Sequence, residues 1–299
     1  MNQPRPEVEN ALTDDRKSDN ATKSTGKKWR TSLSRLFMLA SLAYLFVLGC
    51  LMFFERRLIY PAPDPALGDW NPPGLVFEDV WLKAADGTKL NGWYLPHDSA
   101  KRVMLYFHGN GEHLPWSAPD ADVWRTRLNA NVLVMDYRGY GKSEGQPSEP
   151  LLIQDGVKAA KWLASRNNIK PSDLVLWGRS IGGGVAAGVA QQIDPQAVVM
   201  ESTFDSLADV AASHVRWFPV RRMMTNQYPS AKRLADFEGV YLQWHGMRDP
   251  VVPFEAGRRL YDAVASPSKW FIEAPKLGHN DAAPEEFRKN VMRYLPEAF

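Results

Sequence analysis

Six short apolar runs constrain this chain most: Val103–Phe107, Val132–Met135, Leu174–Trp177, Ala197–Met200, Val240–Trp244 and Trp270–Ile272. Each has the length of a strand and almost no polar residue. A strand with one wet face alternates apolar and polar residues, whereas a near-continuous apolar strand is buried on both faces of a parallel sheet. Helical patterns separate several of these runs, among them Leu151–Arg166 and Ile181–Ile193. Parallel neighbours need crossover connections, and right-handed crossovers place helices against the sheet. The pattern predicts one α/β domain with a mostly parallel central sheet and helices on both faces. Ahead of it, Val76–Trp81 and Leu90–Leu95 flank the turn Ala85-Asp86-Gly87-Thr88 and read as an antiparallel hairpin.

Residues 204–237 lie between two of the apolar runs and are long for a connection. They carry Trp217, Phe218, Met223, Met224, Arg216, Arg221 and Arg222. An insertion at the carboxyl ends of strands reads as a lid over a site.

The N-terminus has a different character. Residues 1–32 are polar, without apolar periodicity, and read as a disordered tail. Within 33–54, the stretch from Leu36 to Phe54 contains no charge and is long enough for a transmembrane signal anchor. Lys23, Lys27, Lys28, Arg30 and Arg35 precede it, and only Arg56 and Arg57 follow closely. That asymmetry predicts a single-pass protein with its N-terminus in the cytoplasm and its main domain extracytoplasmic. A cleaved signal peptide would want an A-x-A site, which is missing. Val47-Leu48-Gly49-Cys50 is similar to a bacterial lipobox, so a lipid anchor at Cys50 is the other alternative. The five prolines in 61–74 make 55–75 read as a stiff linker, with the folded domain expected over 76–299. A net charge of +2 gives no reason to expect nucleic acid as a partner. With Cys50 as the sole cysteine, no intramolecular disulfide can form.

Two G-x-S-x-G patterns occur, at Gly141–Gly145 and Gly178–Gly182. A nucleophilic serine of this type needs a strand, a sharp turn and then a helix, with small residues flanking the turn. Ser180 meets these conditions between Leu174–Trp177 and the proline-free Ile181–Ile193. Ser143 does not, because a loop precedes it and Pro147 and Pro150 follow. Ser143 therefore reads as part of a glycine-rich loop at the sheet edge.

A serine hydroxyl needs a base, and the base needs an orienting acid. In this architecture the order is Ser, Asp/Glu, His. Of His214, His245 and His279, only His279 follows the last strand. Asp249 lies in a turn-rich loop after the penultimate strand, with Asp205 as its rival. The tetrahedral intermediate needs preorganised N–H donors. Ile181 N–H is one, and Asn110 N–H in His108-Gly109-Asn110-Gly111 is the other. His108 reads as a structural hydrogen-bonding residue.

Together these segments resemble the α/β-hydrolase superfamily and, within it, the Bem46/ABHD13/ABHD17-like serine hydrolases. The segments are Phe107-His108-Gly109-Asn110-Gly111, Asp136-Tyr137-Arg138-Gly139-Tyr140-Gly141-Lys142-Ser143-Glu144-Gly145, Gly178–Gly183, His245–Asp249 and Gly278-His279-Asn280. Arg56–Pro61 after a membrane segment also fits. The resemblance implies an α/β-hydrolase fold, a Ser180–Asp249–His279 triad and oxyanion donors at Asn110 and Ile181. It makes Gly141–Gly145 a loop rather than a nucleophile elbow. Gly111 stands where many relatives have alanine. The cysteine cluster of relatives that remove palmitate from proteins is absent. The expected activity is hydrolysis of carboxylic esters or thioesters of acyl or lipid substrates, with no cofactor or metal. A peptidase or acyltransferase on the same triad, and a non-catalytic interaction protein, are the alternatives.

Overall fold

The computed structural model describes Met1 and residues 15–298, with side chains beyond Met1 described from Leu33 onward. Residues up to Phe54 and from Glu55 onward form separate compact units. The first unit is helix α1, Asp15–Phe53. Within it, Leu33–Phe53 is a 21-residue segment of mean hydropathy 2.4, long and apolar enough to cross a membrane. Residues 2–14 of the tail expected to be disordered lie outside the described residues. Over 15–32 that expectation is corrected, because the backbone is helical there. Helix nucleation is the costly step, and the apolar helix that follows supplies the nucleus from which these residues extend.

In the second unit, α2 (Glu55–Ile59) leads into the hairpin β1 (Glu78–Lys83) and β2 (Lys89–Leu95). Alternation then follows: β3 (Arg102–Phe107), α3 (Leu114–Leu128), β4 (Ala130–Met135), α4 (Glu149–Arg166), β5 (Val175–Arg179), α5 (Ile181–Ile193) and β6 (Ala197–Glu201). The insertion carries α6 (Leu207–His214), α7 (Val220–Met223) and α8 (Ser230–Arg233). The chain closes with β7 (Val240–Gly246), α9 (Phe254–Ala263), β8 (Lys269–Ala274) and α10 (Glu285–Tyr294).

All strands join one sheet in the order β1-β2-β4-β3-β5-β6-β7-β8. The hairpin strands pair antiparallel, β2 also pairs antiparallel with β4, and the remaining pairs are parallel. The side chains of each inner strand divide between two buried layers. Leu105, Phe107, Leu133 and Leu176 pack under α4, α5 and α9. Met104, Tyr106, Val132, Val134 and Trp177 pack under α3 and α10. A Leu buried this completely contributes about 1.5–3 kcal/mol relative to exposure. The parallel, two-sided sheet expected from the apolar runs is the one present.

Helix α3 was not legible in the sequence, since Pro115 and Pro119 interrupt its pattern. Its buried residues Leu114, Ala118, Ala121, Trp124 and Leu128 nevertheless keep helical spacing. Trp124 packs against Trp177 with tilted rings whose centroids are 4.4 Å apart, so tertiary packing overrides the proline penalty.

The linker expectation is also corrected. Residues 55–75 dock on the α/β domain rather than forming a free spacer. Tyr60 is 5% exposed, and Trp70 meets Trp93 edge-on at 6.0 Å. The Trp70 indole N–H donates to Pro65 O at 2.8 Å, which folds the proline segment back on itself. Proline density disfavours a helix but says nothing against packing. The folded unit therefore starts at Glu55, not at Val76.

Candidate active site

The order of strands reverses at β3, which has β4 on one side and β5 on the other. A crevice opens outside the carboxyl ends of strands at such a switch point. Two loops meet there: His108–Glu112 after β3, and the turn at Ser180 after β5.

Ser180 has φ 52° and ψ −121°, a conformation that a residue with a Cβ rarely adopts. Neighbours hold it there. Its N–H donates to Glu201 O at 2.9 Å, and its carbonyl accepts from Thr203 Oγ1 at 2.7 Å. The flanking glycines have steric reasons. A Cβ on Gly178 would lie 2.6 Å from Gly182 O, and one on Gly182 would lie 2.2 Å from Phe107 O. The glycines further along α5 meet other side chains: a Cβ would press on Tyr228 from Gly184 and on Ile153 from Gly188.

His279 Nε2 is 3.0 Å from Ser180 Oγ, and His279 Nδ1 is 2.7 Å from Asp249 Oδ2. The loops carrying Asp249 and His279 are laced together by Arg248 N–H donating to Leu277 O at 3.0 Å. Gly246 lets them approach, because a Cβ there would lie 2.3 Å from Leu277 O. Asp249 Oδ1 accepts the N–H groups of Val251 and Val252, each at 2.8 Å. Burial on its own would raise the Asp249 carboxyl. Hydrogen bonds from His245 and His279, the charge of His279 and the Val252 N–H outweigh it and hold that carboxyl well below the usual carboxylate range.

The other candidates have different partners. Asp205 pairs with Arg259 at 2.6 Å and does not face His279. His214 Nε2 is 3.0 Å from Val251 O, at the edge of the insertion. Ser143 Oγ donates to Asp136 O at 3.0 Å and accepts Asn91 N–H at 2.9 Å, which ties its loop to β2. His108 is buried, with Nδ1 2.8 Å from Gly109 O. Burial lowers its pKa to about 4, so the ring is neutral at pH 7.

Ile181 opens α5, so its N–H is one of the helix-start donors with no acceptor inside the helix. Among the described residues no acceptor takes the Asn110 backbone N–H. The Asn110 side chain is held at both ends. Its Nδ2 donates to Ile59 O at 2.6 Å, and its Oδ1 accepts Tyr140 Oη–H at 2.7 Å.

Four neighbours went unassigned in the sequence reading. His245 Nε2 lies 3.3 Å from Asp249 Oδ2, behind the acid rather than beside the serine. Glu112 accepts Gly109 N–H at 3.1 Å and pairs with Arg179. Arg179 in turn donates to Asn280 Oδ1 at 3.1 Å. Arg179 and Asn280 sit beside Ser180 and His279 in their motifs, so adjacency could have flagged them. Nothing in its spacing marks Glu112.

Comparison with known proteins places the chain among hydrolases. Residues 98–232 match the family model Hydrolase_4, described as serine aminopeptidase, S33. The uncharacterized protein Rv2307c of Mycobacterium tuberculosis is 36% identical over 88% of this chain and 96% of that protein. Protein bem46 of Schizosaccharomyces pombe is 30% identical over 81% of this chain and 86% of its own length. Among solved structures, the Pyrococcus furiosus esterase Pf2001 superposes with a TM-score of 0.64 at 21% identity, covering 78% of this chain and 97% of that one. At that identity the likeness shows a shared α/β-hydrolase fold.

Proposed function

This chain belongs to the Bem46-like α/β hydrolases, and on that premise we propose that it is a membrane-anchored serine hydrolase of carboxylic esters or thioesters. The observation that carries the reading is the line Ser180 Oγ, His279, Asp249, with separations of 3.0 and 2.7 Å. In this mechanism His279 Nε2 accepts the Ser180 hydroxyl proton as Oγ attacks the acyl carbon. Asp249 accepts the Nδ1–H hydrogen bond, fixes the tautomer and stabilises the imidazolium. It suits that task because its carboxylate stays ionised. The N–H groups of Ile181 and Asn110 receive the oxyanion. His279 returns the proton to the leaving alcohol or thiol, and water then releases the acyl group by the same steps in reverse.

Acyl or lipid substrates are supported by the membrane-length segment and by the insertion. The insertion carries exposed Trp217 and reaches the acid loop through His214 and Val251. A peptidase on the same triad is the second reading, favoured by the description of the matching family model.

A fluorophosphonate probe and a panel of p-nitrophenyl esters of varying chain length, run beside peptide amides, test the proposal. Labelling and ester turnover that vanish in Ser180→Ala are expected. Amide cleavage without ester turnover would replace the esterase with the peptidase, and labelling that survives Ser180→Ala would remove Ser180 as nucleophile.

A further inference from the structure

The segment between the membrane-length helix and the hydrolase domain is bonded into the candidate active site. Glu55 Oε1 accepts the Thr225 N–H at 2.9 Å and Oγ1–H at 3.0 Å, and the Asn226 N–H and Nδ2–H at 2.9 Å each. Tyr60 Oη donates to Asn226 Oδ1 at 3.0 Å and lies 2.8 Å from Tyr228 Oη. Tyr228 is fully buried against Gly184 of α5, the helix that begins at the nucleophile turn. Between these two anchors, Ile59 O accepts the Asn110 side chain at 2.6 Å. Arg56 adds a bond to Gln146. A passive tether would show none of this. A buried Tyr and a carboxylate receiving several N–H and O–H donors form a built joint, and removing one partner of such a joint leaves the others unsatisfied.

The joint has a chemical consequence. An oxyanion donor is effective when it is aimed before the reaction begins. The Asn110 side chain bridges Ile59 O and Tyr140 Oη–H, which leaves its residue little freedom to turn. The peptide carrying its N–H is thereby fixed against a backbone atom of the strap.

We propose that Glu55–Tyr60 is a positioning strap, in which Glu55 and Tyr60 clamp the chain so that Ile59 O holds Asn110 and preorganises the oxyanion loop. The proposal rests on the serine-hydrolase reading above. Glu55 acts as an acceptor rather than as a charge, so glutamine should serve in its place.

The test uses the full chain in detergent micelles. Wild type is compared with Glu55→Gln, Glu55→Ala and the double variant Glu55→Ala/Tyr60→Phe. Turnover of a p-nitrophenyl ester is counted per fluorophosphonate-labelled site, and amide hydrogen exchange is followed over residues 108–112. Expected for the double variant are a fall in kcat of about tenfold with KM within about twofold, and exchange over 108–112 faster by about tenfold. That fall is smaller than the 10²–10³ for loss of a whole oxyanion donor. Glu55→Gln should stay within about threefold of wild type while Glu55→Ala does not. Unchanged kcat per site, or unchanged exchange over 108–112 beside a lowered Tm, overturns the strap, as does Glu55→Gln behaving like Glu55→Ala. Exchange reports on the strap whether or not the ester is turned over, whereas the absence of wild-type labelling counts against the hydrolase reading alone.

Discussion

Ser143 and Ser180 occupy the same five-residue pattern, and their environments assign them opposite tasks. Ser180 sits in a strained backbone with an imidazole 3.0 Å from its hydroxyl. Ser143 spends its hydroxyl on Asp136 O and Asn91 N–H. Ser180→Ala should therefore abolish ester turnover with the fold intact. Ser143→Ala should keep kcat within about threefold but lose about 1–3 kcal/mol of stability, since it leaves a buried N–H unpaired. Urea unfolding beside active-site-normalised kinetics checks both, and a Ser143→Ala enzyme that is stable but inactive would reverse the assignment. Beside Ser143, Asp136 is buried, and burial raises its pKa to about 8. Its unfolded value is about 3.9, so between about pH 4 and 8 the folded chain holds a proton that the unfolded chain has released, and stability falls as pH rises. His108, lowered by burial to about 4, has the opposite sign. From about pH 4 to 6.5 the unfolded chain carries the extra proton, and stability rises with pH. The two slopes cancel below about pH 6.5 and leave a net loss from there to about pH 8. Asp136→Asn should remove that loss, so that its urea midpoint stays level over this range while the wild-type midpoint declines. Parallel declines in the two proteins would show that Asp136 is already ionised in the fold.

At the scale of elements, the site is the meeting of four loops, and Arg179 joins three of them. It pairs with Glu112, whose other oxygen holds Gly109 N–H, and it donates to Asn280 next to His279. A guanidinium fork can serve both acceptors, whereas an ammonium is a point charge on a flexible stem. Arg179→Ala is expected to lower kcat about 10–100-fold with KM changed by less than about threefold, because donor and base lose alignment while the rest of the site is untouched. Arg179→Lys should restore little. Steady-state kinetics on a short-chain ester separates the two parameters, and a kcat within about twofold of wild type in Arg179→Ala would remove the tie. Much of this element layer was legible. The parallel strands announced themselves as apolar runs, and α5 as a helix without proline after Ser180. The meeting of Ser180, His279 and Asp249 followed from chain order, because each stands in the loop after its strand. The unread parts share a physical cause. Helix α3 hides its apolar spacing behind prolines, and Glu112 and His245 act through contacts between loops that no local pattern encodes. The strap was misread because a proline-rich composition carries no record of where Glu55 and Tyr60 bind.

For the whole molecule, the position of Glu55 sets the position of the catalytic domain. It ends the run that begins at the membrane-length segment, and its carboxylate is already bonded to Thr225 and Asn226. On the membrane-anchored reading proposed above, the hydrolase domain lies on the side of the membrane where residue 55 emerges. Basic residues are denser before Leu33–Phe53 than just after it, and on that asymmetry we propose that the N-terminus is cytoplasmic and the domain outside. Helix α1 also runs without a break through Cys50 to Phe53. A lipoprotein would be cut immediately before its cysteine, inside this helix, and would lose the segment that makes it long enough to span. An intact anchor predicts two outcomes together. Alkaline phosphatase fused after Phe299 is active, and Cys50→Ser leaves the full-length chain in the membrane after alkaline carbonate extraction at unchanged apparent mass. An inactive fusion would invert the topology, and release of Cys50→Ser from the membrane would make the cysteine, not the helix, the anchor.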